Sequence, residues 1–188
     1  QGVSSAASDV YKRQVLVLGV LDGLLLSVGI SILLLLRQMS AADIQILGQL
    51  GSGHDFVDFS RHPQARQVPG VLILRPGEAL FFANAERILG GALRLIRHVQ
   101  APIHSIILSL EESPDLDGTS IEALDEFFRQ VSLEHKHLAL ARLKHEAKDA
   151  LALLPSSREY QVLLSGTSVD DTLQESLRGW KAGAFSQA

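Results

Sequence analysis

The chain has 188 residues, a formal net charge of −4 and no cysteine. That length holds one ordinary domain and a short appendage. The charge offers no general basic field to a nucleic acid. The absence of cysteine excludes disulfides, thiolate metal sites and a cysteine nucleophile.

Residues 1–14 (QGVSSAASDVYKRQ) are small and polar without periodicity, and read as a leader foreign to the fold. Residues 15–37 follow as a nearly unbroken apolar run. As a helix, Val15 to Leu36 would extend about 33 Å, enough for the roughly 30 Å hydrocarbon core of a bilayer. Gly19, Gly23, Ser27 and Gly29 give the run a small-residue face compatible with close packing of other helices. Asp22 is the ionisable residue inside it, and at membrane depth a carboxylate faces protein or water. Arg37, Arg61, Arg66 and Arg75 place the C-terminal side in the cytosol by the positive-inside rule.

Residues 38–67 read as a linker, with Gly51-Ser52-Gly53 lacking the lysine and spacing of a phosphate loop. The domain proper is expected over 68–180, with a tail at 181–188. Val71–Leu74 reads as a strand, and Ala79–Phe82 as a second one paired with it in a hairpin. Asn84 stands as N-cap of a helix with Ile88, Leu89, Ala92, Leu93 and Ile96 on one face and Arg87, Arg94 and Arg97 on the other. Ile103–Leu110 is the expected central strand, and Leu138–Leu143 another. A helix over Lys144–Leu154 ends at Pro155, Tyr160–Leu164 is a short last strand, and Ser168 opens a final helix. Alternating strands and helices call for an α/β fold: a sheet of four to five strands flanked by helices.

Asp117-Gly118-Thr119-Ser120 lies between the central strand and a helix carrying Ile121, Leu124, Phe128 and Val131. Thr119 and Glu122 fit a capping box, with Thr119 as the cap. A phosphate on a hydroxyl at a helix N-terminus is electrostatically favoured. The histidines give no metal site: His135 and His137 read as solvent-exposed, and His145-Glu146 lacks a second histidine at helical spacing. No serine has an evident base, so neither catalysis nor a cofactor is expected.

The order of an apolar span, Leu47-Gly48, Val68-Pro69-Gly70-Val71-Leu72, Leu74-Arg75, Phe82-Ala83-Asn84-Ala85-Glu86 and Asp117–Leu124 resembles the C-terminal part of SulP-type anion permeases, the sulfate permeases. The resemblance runs from about Val15 to about Leu154. It implies a many-helix transporter in the cell membrane, bacterial inner membrane included. Its last helix would lead into a cytosolic STAS domain serving regulation and assembly. It further implies three partners: the remaining transmembrane helices, a second copy in a homodimer, and a cytosolic regulatory protein on the STAS surface. STAS domains also act alone as anti-sigma-factor antagonists, phosphorylated on the second hydroxyl of an Asp-Ser-Ser-Gly-like turn. Asp117 and Thr119 match the acid and the phosphoacceptor of that turn; Gly118 and Ser120 depart from it. A membrane-tethered signalling module of that type is therefore the alternative, and a nucleotide- or anion-sensing domain using the Thr119 helix start is a third.

Overall fold

A computed structural model describes residues 19–35, 37, 43–51 and 53–181. Two units divide at Ala41 and Ala42. The first contains helix α1, residues 19–35, whose side chains are all exposed. Among the described residues no helix is long and apolar enough to cross a membrane. Residues 15–18 and 36 of the expected span, the expected leader and the expected tail beyond 181 lie outside the described residues.

The second unit is a six-stranded sheet in the order β2-β1-β3-β4-β5-β6. Its strands are β1 (Ile44–Gln49), β2 (Phe56–Asp58), β3 (Val71–Pro76), β4 (Ser105–Ser109), β5 (His137–Ala141) and β6 (Leu163–Leu164). β3 through β6 run parallel, and β1 is antiparallel to both β3 and β2. The expected linker thus supplies two strands, and the domain starts well before Val68. Helices α2 (Ala85–His98) and α3 (Gly118–Leu133) cross between β3, β4 and β5. Then come α4 (His145–Ala152), α5 (Pro155–Glu159) and α6 (Val169–Lys181). Pro155 begins a helix as well as closing one, since its missing N–H costs nothing in a first turn.

The period-2 alternation of the strands divides the core into two layers. Leu72, Leu74, Ile106, Leu108, Leu138 and Leu140 face α2 and α3, meeting Ile88, Leu89, Leu124, Phe127 and Phe128. Val71, Ile73, Ile107, Ala139 and Ala141 face the other way, toward Val169 and Leu173 of α6. β4 is buried at every position, as a strand covered on both faces must be. The start of α6 is fixed twice. Ser168 and Asp171 exchange hydrogen bonds with each other's backbone amides, at 3.1 and 3.3 Å. His54, from the β1–β2 turn, lies 2.6 Å from the Asp170 carboxylate.

Ala79–Phe82 is not a strand. β1 occupies the antiparallel place beside β3, so no hairpin partner is needed there. Only Leu80 of this run enters the core, and Phe82 is 66% exposed. Asn84 occupies the N-cap position of α2, yet its side chain makes no cap hydrogen bond. It holds the preceding loop instead, accepting from the Phe81 amide and donating to the Ala79 carbonyl, both at 2.9 Å.

A chain shortened to begin at Val68 is expected to aggregate, because loss of β1 strips the edge of β3 and removes buried Leu47. A chain beginning at Asp43 should unfold in one cooperative urea transition. Cooperative unfolding of the shorter form would show that β1 is dispensable.

Candidate functional site: the turn into α3

β3 and β4 both end at the same side of the sheet, and each hands the chain to a loop preceding a helix. The two loops are tied together. The Leu80 amide donates to Ser113 Oγ at 2.9 Å, and Ser113 is 2% exposed. The Phe82 amide donates to Asp117 Oδ2 at 2.7 Å, while Asp117 Oδ1 accepts from the Ser120 amide, also at 2.7 Å. One carboxylate therefore caps α3 and fixes the loop before α2.

This corrects the expected capping box. Asp117 is the N-cap, with extended backbone (φ −79°, ψ 168°), and Gly118 is already the first helical residue. Thr119 falls in the first turn, too late to cap. An aspartate beside the positive end of the helix dipole is also the stronger acceptor. Burial works to raise the Asp117 pKa, but hydrogen bonds from Ser120 and the Phe82 amide outweigh it, so the group titrates below an ordinary aspartate.

The two hydroxyls of the turn lie in opposite environments. Thr119 is exposed, whereas Ser120 is wholly buried. Only Thr119 is reachable from solvent without unfolding the turn. Gly118 is exposed too, and a Cβ added there would meet nothing within 4 Å, so the fold itself does not demand glycine. The surroundings are acidic: Glu111, Glu112, Asp115 and Glu122 are all exposed. The basic groups nearby are engaged, Lys144 lying 3.8 Å from Asp115 and Arg75 3.9 Å from Glu111. An unmodified turn is thus a poor anion seat, and a phosphate on Thr119 would change its charge abruptly.

A second polar cluster, with no motif to mark it in the sequence, lies at the opposite ends of the strands. Ser105 Oγ is 2.8 Å from Ser176 Oγ, and His137 Nδ1 is 3.5 Å from each. Ser105 and Ser176 are buried and join β4 to α6. A cavity of about 340 Å³ opens beside them, lined by Pro69, Gly70, His104 and Leu177 among others. His137 is not the solvent-exposed residue expected. Burial, the larger influence, pushes its pKa down to about 4, against a hydrogen bond with the Gln161 backbone. The imidazole beside the two serines ties β5 to α6. His135 is exposed as expected. No group of three His, Asp or Glu side chains that could hold a metal occurs among the described residues.

Residues 62–175 match the STAS domain family model. The chain belongs to the STAS family. Its STAS domain is related to sulfate transporters. A probable sulfate transporter of Mycobacterium tuberculosis is 32% identical over 137 residues, 73% of this chain and 24% of that protein. High affinity sulfate transporter 1 of Stylosanthes hamata is 31% identical over 128 residues, 63% of this chain and 19% of that one. The chain therefore spans about a quarter or less of the length of these relatives. Among solved structures, the murine Slc26a9 anion transporter in its inward-facing state superposes with a TM-score of 0.71 at 18% identity, covering 83% of this chain and 25% of that one. At that identity the likeness speaks for the fold.

Two substitutions at the turn should separate. Asp117→Ala should cost about 1–2 kcal/mol, as loss of an N-cap does, with the Phe82 loop loosened besides. Thr119→Ala should stay within about 0.5 kcal/mol, an exposed change in a helix. Urea unfolding of both variants is the check, and a larger loss at Thr119 than at Asp117 would contradict the assigned cap.

The His137 environment sets a pH dependence. Its folded pKa of about 4 lies below the ordinary 6.5, so its neutral form belongs to the folded state. This contribution is complete above pH 6.5 and declines as the pH falls toward 4, because the unfolded chain binds the proton first. It should amount to on the order of 1–3 kcal/mol. His137→Leu should flatten the fall of the urea midpoint between neutrality and about pH 5. An unchanged slope would place the dependence elsewhere.

Proposed function

We propose that this chain is the C-terminal region of a membrane secondary anion transporter of the sulfate type. In this reading the STAS domain lies in the cytosol, and the Asp117–Ser120 turn is the surface through which transport is regulated. The observation that carries it is the 32% identity to a sulfate transporter over 137 residues, 73% of this chain.

Residues 15–37 would supply the last membrane helix, in a bacterial inner membrane. A Cβ added at Gly19, Gly23 or Gly29 meets nothing within 4 Å, and Asp22 is exposed on the same helix. In a bilayer those positions call for partner helices, which the remainder of the transporter would provide. The anion site would sit among those helices, since transporters place substrate near the midplane between repeats. The chain has no reaction of its own in this reading. The full transporter would pair as a homodimer, and the exposed Thr119 and Phe82 would meet a cytosolic regulatory protein. Phosphate on Thr119 would act there by charge, repelled by Asp117 and Glu122 and favoured by the helix dipole.

Proteoliposomes holding this chain alone should take up sulfate no faster than empty vesicles. The parent transporter carrying Thr119→Glu should differ in transport from wild type by about five-fold, the lower range of coupling between sites, with Thr119→Ala near wild type. Uptake by the chain alone would refute the fragment reading. Wild-type rates for both Thr119 variants would leave the turn without a regulatory role.

A further inference from the structure

We propose that the basic face of α2 around Arg94 is a seat for the phosphate head groups of anionic phospholipids; this rests on the membrane-span reading above. Arg87, Gly91, Arg94 and His98 recur at steps of four, three and four, so they share one face of α2. With Asp43 and Ile44 they line an open groove of about 370 Å³. Two consecutive glycines, Gly90 and Gly91, sit inside this helix. Glycine is the poorest helix former after proline, so a pair of them asks for a reason. Packing within the domain supplies none. A Cβ at Gly90 or Gly91 would meet only the Arg94 guanidinium, at 3.8 and 3.6 Å, which is ordinary contact. The missing side chains leave the helix surface low, and the Arg94 head lies over the gap.

Charge distinguishes this face from its neighbour. Arg97 is engaged, its guanidinium donating to Glu134 at 2.8 Å and Gln130 at 3.0 Å. Arg94 is exposed, and no carboxylate among the described residues lies within ion-pair distance of it. Arg87 lies 3.6 Å from the Asp43 carboxylate, whose side chain is 93% exposed. His98 donates from Nδ1 to the Arg94 carbonyl at 2.7 Å, which fixes its ring along the groove. Among the described residues lining the groove, two arginines stand against one aspartate.

Chain connectivity names the occupant. Five residues, 38–42, separate Arg37 from Asp43. Six extended steps reach at most about 20 Å, so a bilayer spanned by residues 15–37 holds Asp43 within that distance of its surface. A tether of that length lets the basic face come within a Debye length of an anionic leaflet, roughly 10 Å, where basic side chains are drawn to it. A planar guanidinium matches a phosphate in two-point geometry.

The test is arginine modification by phenylglyoxal, read residue by residue by mass spectrometry. The full chain is reconstituted into bilayers of phosphatidylcholine alone or mixed with phosphatidylglycerol. Arg94 should react several-fold more slowly in the anionic bilayer, and high salt should erase the difference. Arg129, paired with Asp125 and Glu126 on α3, is the internal control and should not change. A Gly90→Leu, Gly91→Leu double variant should lose most of the protection by filling the gap. Equal rates in both bilayers would overturn the proposal, as would equal slowing of Arg129. Protection of Arg94 by inorganic phosphate in neutral bilayers, equal to that by the anionic lipid, would assign the groove to a free anion instead. Alkaline extraction of the same vesicles reads the span separately. A chain that is extracted, yet shows lipid-dependent protection of Arg94, refutes the span and not the groove.

Discussion

The Asp117 carboxylate is the constraint on which this end of the domain depends. Its two oxygens serve two elements that are distant in sequence, the first turn of α3 and the loop that feeds α2. A helix N-terminus carries amides without intrahelical partners, and a loop between strand and helix carries amides with none at all. A single ionised side chain answers both needs and draws them to the same spot. Ser113 repeats the arrangement one step deeper, with its hydroxyl on the Leu80 amide. The outward presentation of Thr119 and Phe82 follows, because their neighbours Ser120 and Leu80 are the residues held inward.

The central sheet was readable because its strands are covered on both faces. VLIL, SIIL and LALA are short continuous apolar runs bounded by turn residues, and α2 and α3 between them carry helical periodicity. β1 was not readable for the opposite reason. Its glutamines and Gly48 make IQILGQ look like a connection, although a Cβ at Gly48 would press on Ala65, Arg66 and Phe59 at 3.1 to 3.3 Å. Ala79–Phe82 failed in the other direction: four apolar residues carry too little period to tell a strand from a pinned loop.

At the turn, the sequence reading made Thr119 the cap, whereas the structure gives that place to Asp117. Local spacing cannot choose between them, since the choice depends on where the loop leaving β4 is anchored. The Phe82 amide, 35 residues away in sequence, decides it. His137 was equally opaque. Its pairing with Ser105 across the sheet and with Ser176 on α6 exists only once the strands are in register. The kinship with sulfate transporters was legible from the order of short motifs between Leu47 and Leu124, which reaches beyond any single interaction in the fold.

The sheet ends in very short strands, three residues in β2 and two in β6. A neighbouring molecule seeking to extend the sheet would find almost no ladder of open amides and carbonyls on either side. Domains of this kind can be crowded at high local density without fusing their sheets. Any self-association must then use side chains on helices and loops, where it stays reversible and open to control by charge.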